Sequence, residues 1–272
     1  HQCQPGPLRP RLVGPGASMT IHQSISEDGV LELVMDNPKV NALPIADTFA
    51  LAEILDGVKR RSEITAVVLT ATGRGFCAGV DIKEMQAMPG HEGILGVNQA
   101  CAEAFRAVYE CAVPVVCAVN DFCLGTGIGL AGSADVVIAA EGVRFGLPEV
   151  DNGALGAATH LGRLVPEKYL RWMLYSCEPV SAEQLLEWGT VLRVVPLPDL
   201  MDTAREVAGV IASKSAPVIR AAKASLNGID HPPMTSYRFE QGFTYELNLQ
   251  GQGDEARDTF LRGERDANLA AD

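Results

Sequence analysis

The stretch Pro114-Val115-Val116-Cys117-Ala118-Val119-Asn120-Asp121-Phe122-Cys123-Leu124-Gly125-Thr126-Gly127-Ile128-Gly129-Leu130 decides the fold. Val115 to Val119 is a short apolar run with no polar alternate, the pattern of a strand buried on both faces. The glycines after it open a helix, whose unpaired N–H groups and positive dipole end would stabilise an anion. Gly-x-Gly-x-Gly matches part of a dinucleotide fingerprint. However, Leu130 occupies the place of the last glycine, the unit lies mid-chain, and no ribose-binding acid follows in context, so a nucleotide-dependent dehydrogenase is disfavoured.

Outward from this unit, short β-branched runs alternate with longer helical patterns. Val30 to Met35, Ala66 to Thr70 and Val136 to Ala139 read as further strands, with helices near Pro44 to Lys59, Ile94 to Glu110 and Gly127 to Gly132. That order implies an α/β core of repeated βα units over residues 19–197. From Pro198 onward strand signals vanish. Four helical patterns follow, near Asp199 to Ser213, Ala216 to Asn227, Met234 to Leu247 and Asp254 to Arg262, so residues 198–272 read as a helical subdomain. Residues 1–18, rich in Pro, Gly and Arg, show no periodicity and read as a disordered extension upstream of Met19.

Composition narrows the function class. The 272 residues are 47% hydrophobic and 21% charged, ordinary for a globular chain. A net charge of -12 argues against binding to nucleic acid or an anionic membrane, because phosphate-rich surfaces would be repelled. Seven cysteines lack Cys-x-x-Cys or zinc-ligand spacing, so neither disulfides nor a metal are implied, and a reducing cytoplasm is expected. The apolar runs are too short to span a bilayer.

Two other segments carry chemistry. Gly73-Arg74-Gly75-Phe76-Cys77-Ala78-Gly79-Val80-Asp81-Ile82-Lys83-Glu84-Met85 is a glycine-rich turn after a strand, where backbone can approach a ligand and Asp81 can cap the next helix; a plain strand-to-helix turn is the bland alternative. Phe145-Gly146-Leu147-Pro148-Glu149-Val150-Asp151 places a carboxylate in apolar surroundings, which suits general acid or base work, although a solvated loop carboxylate is the commoner case.

In order and separation, these three segments resemble the signature of the crotonase (enoyl-CoA hydratase/isomerase) superfamily, and the similarity extends from about Val30 to Phe260. The resemblance implies a ββα spiral core with C-terminal helices, assembled as a homotrimer or a dimer of trimers. It implies an acyl-CoA thioester substrate, with no cofactor beyond the coenzyme A that the substrate carries. By position, the backbone N–H groups of Val80 and Thr126 would hold the thioester oxygen and Glu149 would be the acid/base. Ala78, Gly79, Asp81, Ile82, Lys83 and Gly125 would form the acyl-CoA pocket. Thr126 stands where the family usually has glycine, which affects clearance around the acyl chain.

Gly129 occupies the position of the first of a hydratase's two glutamates. With one carboxylate, the site suits moving a proton between carbons, as in the family's double-bond isomerases. It suits equally the activation of one water for carbon–carbon cleavage of a cyclic keto acyl-CoA. Local matches at Phe105 to Pro114 and Tyr237 to Asn248 resemble an actinobacterial branch named enoyl-CoA hydratases and linked to steroid ring degradation. A third reading is an inactive acyl-CoA-binding or assembly subunit.

The remaining candidates have plainer readings. Asp151 reads as a loop acid, and His160 as a surface or capping residue in a helix starting near Gly153. Cys77 and Cys123 read as buried packing, Asp135 as structural, and Arg74 and Lys83 as either CoA-phosphate contacts or solvated charge. The run Tyr237 to Glu246 closes the acyl pocket or forms a subunit contact.

Overall fold

In the computed structural model, which describes residues 20–264, the apolar runs form the middle of a six-stranded sheet. The strands are β1 (Thr20–Ile25), β2 (Val30–Asp36), β3 (Ala66–Ala71), β4 (Val115–Val119), β5 (Cys123–Leu124), β6 (Val136–Ala140), β7 (Arg144–Gly146), β8 (Val180–Ser181) and β9 (Arg193–Val195). The helices are α1 (Ile45–Gly57), α2 (Ile82–Ala87), α3 (Glu92–Tyr109), α4 (Thr126–Ser133), α5 (Ala158–Leu161), α6 (Glu167–Ser176), α7 (Ala182–Glu187), α8 (Leu200–Ala212), α9 (Ala216–Ile229), α10 (Pro233–Leu249) and α11 (Gln252–Leu261).

The large sheet runs β1-β2-β3-β4-β6-β9, antiparallel only at the β1–β2 edge. Every residue of β3 and β4 is buried, as expected of central parallel strands covered on both faces. Parallel neighbours need crossovers, and α1, the α2–α3 pair and α4 supply them in turn. Helix α8 packs on β2, β3, β4 and β6 and so covers part of the sheet itself. From α9, Lys223 Nζ reaches both carboxylate oxygens of Asp135 at 2.7 Å, and Asp135 also accepts the Val115 N–H at 2.8 Å. Asp135 is therefore structural, tying α9 to the start of β4.

A second, three-stranded sheet in the order β5-β7-β8 is what positions the site. Its strands have two or three residues each, too short to leave a period in the sequence. The sequence reading also lacks β1, β9 and the short helices α5, α6 and α7. The expected helix from Gly153 does not form: only Ala158–Leu161 is helical, and its first N–H groups, on Ala158 and Thr159, donate to Glu240 of α10 at 3.1 Å each. The extension at residues 1–18 lies outside the described residues.

Candidate active site

Two glycine turns face each other across the site. In the first, Asn41 Nδ2 donates to the carbonyls of Thr72 and Gly75 at 2.9 and 2.7 Å, holding the loop after β3. Leu43 then pairs with the chain around Val80: Leu43 N–H donates to Gly79 O at 2.9 Å and Asp81 N–H to Leu43 O at 3.0 Å. Because alternate residues of an extended segment present their backbone groups to opposite sides, the Val80 N–H points away from this pairing. It makes no hydrogen bond among the described residues.

In the second turn, the Leu124 N–H donates to Cys77 O at 2.9 Å and the Gly125 N–H to Gly146 O at 3.2 Å. Thr126 then begins α4, so its N–H is among the first-turn donors that a helix cannot satisfy internally. Each of these two free donors directly follows a glycine with positive φ, +105° at Gly79 and +53° at Gly125, a conformation that disfavours any side chain. The Thr126 side chain turns towards α3, its Oγ1 lying 3.7 Å from Cys101 Sγ.

Parallel pairing of β5 with β7 brings Glu149, three residues beyond β7, against Gly125. Its Oε1 lies 2.7 Å from the point a Cβ at Gly125 would occupy. Glu149 as a residue is half-buried, yet Oε2 is shut off from solvent and has no hydrogen-bond partner. Burial pushes the Glu149 carboxyl up to about 8, with a smaller contribution from the charge of Glu240.

These groups line one cavity of about 110 Å³. Of the sequence-predicted residues, Ala78, Gly79, Val80, Ile82, Gly125, Thr126 and Glu149 line it, whereas Asp81 and Lys83 do not. Asp81 instead caps α2, accepting from the N–H groups of Lys83 and Glu84 at 3.0 and 3.1 Å, and the Lys83 side chain is exposed. Asp151 sits in the 3-10 turn after Glu149, outside the lining. Burial raises the thiols of Cys77 and Cys101 to about 12, which removes them as nucleophiles at neutral pH.

Of the opposite wall, sequence reasoning offered the run from Tyr237 and missed the contributions of α3 and of Arg257. Asn98, Cys101 and Phe105 project from one face of α3, while Tyr237 and Thr244 of α10 and Arg257 of α11 close the cavity. The spacing of 98, 101 and 105 along a helix was the available signal. The run from Tyr237 thus lines the pocket through Tyr237 and Thr244 and exposes Phe239 and Phe243 outward. Arg257 is buried, with Nη2 bonded to Asn248 Oδ1 at 2.7 Å and to Asp254, and Nε bonded to Gln86 Oε1 at 2.8 Å. His160 is not on the surface: it is fully buried against Phe105 and Tyr237, at ring separations of 4.8 and 5.0 Å. Burial drives its pKa down to about 3, so its ring is neutral.

The ring of Phe105 fills the space beside Gly129. A Cβ built on Gly129 would stand 1.9 Å from Phe105 Cζ, so no larger residue fits there without moving the ring.

Paired glycine turns presenting two N–H groups beside a buried carboxylate form an arrangement able to hold an oxyanion next to an acid/base group. The chain matches the model of the family described as enoyl-CoA hydratase/isomerase over residues 26–262, and it belongs to that family. It is 52% identical over 244 residues to a Rhodococcus jostii (7aS)-7a-methyl-1,5-dioxo-2,3,5,6,7,7a-hexahydro-1H-indene-carboxyl-CoA hydrolase, covering 89% of this chain and 95% of that one. A Mycobacterium tuberculosis protein of the same name is 50% identical, over 90% of this chain and 99% of that one. Among solved structures, an enoyl-CoA hydratase/isomerase from Pseudoalteromonas atlantica superposes with a TM-score of 0.79 at 25% identity, covering 92% of this chain and 99% of that one. The human enoyl coenzyme A hydratase domain-containing protein 3 superposes at 0.71 with 27% identity, over 92% and 99% of the two chains. The fold is the crotonase fold, and the chain is an acyl-CoA-processing enzyme of this family.

Proposed function

We propose that the enzyme opens a ring of a cyclic keto acyl-CoA by hydrolysing a carbon–carbon bond, the reading that the sequence held open beside isomerisation. The observation that sets hydration aside is the Phe105 ring beside Gly129, which leaves Glu149 as the one carboxylate lining the cavity among the described residues; the choice of hydrolysis over isomerisation is supported by the relatives. Syn hydration holds water between two carboxylic groups; attack of water on a ketone needs one base. Two relatives at 50% identity or more are named hydrolases of a dioxo hexahydroindene-carboxyl-CoA, which supports the same substrate class and a role in steroid ring breakdown here.

In the proposed step Glu149 takes a proton from water as its oxygen bonds to the ketone carbon. The bond from that carbon to its ring neighbour breaks, and the electron pair passes by conjugation to the thioester oxygen. The N–H groups of Val80 and Thr126 hold that oxygen, a contribution of about 3 kcal/mol per donor in preorganised sites. The proton on Glu149 then goes to the released carbon. One water is added, the ketone becomes a carboxylic acid, and CoA stays attached. A carboxyl raised by burial towards neutral pH suits a group that must accept and return a proton.

The test is turnover of the hexahydroindene-carboxyl-CoA in 18O water, followed by mass spectrometry and thiol titration. Gain of one labelled water, with the label in a newly formed carboxylate and no free CoA, is expected; the same mass gain with the label in an alcohol would return hydration. Release of free thiol would make the enzyme a thioesterase, and an unchanged mass would return isomerisation. We further propose a cytoplasmic homotrimer or dimer of trimers; the exposed, neighbouring Phe239 and Phe243 rings of α10 support burial of that helix face between subunits, and light scattering reads the mass.

A further inference from the structure

Among the described residues, two buried side-chain atoms without a partner belong to residues that line the cavity: Oε2 of Glu149 and Nδ2 of Asn98. Glu149 has a role above; Asn98 has none. Asn98 is only 7% exposed, and its backbone carbonyl is held by Gln241 Nε2 at 2.8 Å. On α3 it forms a row with Cys101 and Phe105, three and seven residues on, all facing the cavity. Cys101 Sγ lies 3.7 Å from Thr126 Oγ1, so this row begins beside the thioester position. Asn98 stands one turn away, about 4.5 Å along the helix axis. Its neighbours on that wall, Ile94 and Val97, are apolar. A carboxamide buried there without a partner costs stability, and a plain alkyl chain would be better served by leucine.

We propose that the Asn98 carboxamide binds a ketone oxygen of the acyl group, so that the site selects an oxygenated acyl thioester over a hydrocarbon one. The inference rests on the reading of Glu149 and the two N–H donors given above. It adds a second stabilised charge. Attack of water on the ketone moves negative charge onto the ketone oxygen, away from the thioester, and Asn98 Nδ2 is the donor placed for it.

The experiment measures binding without turnover, by calorimetry on the Glu149→Gln enzyme with 2-oxocyclohexanecarboxyl-CoA and cyclohexanecarboxyl-CoA. A preference of roughly tenfold for the keto ligand is expected, the scale of one hydrogen bond made in a dry site. Adding Asn98→Leu should erase the preference by weakening the keto ligand, while cyclohexanecarboxyl-CoA binds at least as tightly as before, which also reports an intact fold. Asn98→Ala is the second variant should Leu not fold. Persistence of the preference in either variant, or equal affinities before Asn98 is changed, overturns the proposal. Failure of the hydrolytic reading is seen separately, as absence of a new 18O-labelled carboxylate in the product of the unmodified enzyme.

Discussion

The ring of Phe105 occupies the volume above Gly129, with Cζ 1.9 Å from where a Cβ would be. His160 and Tyr237 wedge the ring in place at 4.8 and 5.1 Å between centroids. The second carboxylate of a hydratase is therefore excluded by a filled core and cannot be restored by a single substitution. Gly129→Glu should destabilise the enzyme by about 3 kcal/mol or more, from overpacking and a buried unpaired charge. In the Phe105→Ala/Gly129→Glu double variant the loss should be smaller than the sum of the two singles, as read by urea unfolding.

Glu149→Gln should lower kcat by about 10³-fold while the acyl-CoA still binds, since general base work is worth 10²–10⁴. With the folded carboxyl near 8, kcat/KM of the unmodified enzyme should rise with pH up to about that value as the base ionises. Stability runs the other way. Between the ordinary 4.5 and about 8 the folded protein keeps a proton that the unfolded chain has released, so stability falls as pH rises through that window. The melting temperature of Glu149→Gln should therefore gain on the wild type from pH 5 to pH 8, read by calorimetric scans.

His160 sets the opposite limb. Its folded pKa of about 3 lies below its ordinary 6.5, so only the unfolded chain takes up a proton between the two. Stability should fall as pH drops below 6.5, by up to about 1.4 kcal/mol per pH unit for this group alone. His160→Leu should flatten that limb in acid unfolding experiments.

Gly125→Ala tests the junction of the two turns. The added methyl would meet Glu149 Oε1 at 2.7 Å on a backbone with φ of +53°. A loss of about 10² in kcat/KM is expected, the size seen when one oxyanion donor is displaced. An alanine variant of Gly209, which lies in α8 with open space around it, should gain up to about 1 kcal/mol of stability and keep full activity.

The central strands and the long helices were legible because each repeats its pattern over five residues or more: Val115–Val119 matches β4 end to end, and the stretches from Ile94 and Ala216 match α3 and α9 within two residues. The three glycine and carboxylate segments were legible as motifs because glycine and proline mark backbone shape locally. β5, β7 and β8 were not, because strands of two or three residues exist only through pairing with a distant partner.

By itself, then, the sequence determined the sheet core, the two glycine turns, the one buried-acid candidate and the absence of glutamate at position 129. Tertiary structure alone decided what fills that gap, why His160 is neutral, and which wall faces Glu149. The reason is physical: backbone preference and hydrophobic period are properties of neighbouring residues, whereas the contacts of Phe105 with Gly129, His160 and Tyr237 join four separate elements. Their volumes and charges acquire meaning only once packing has brought them together.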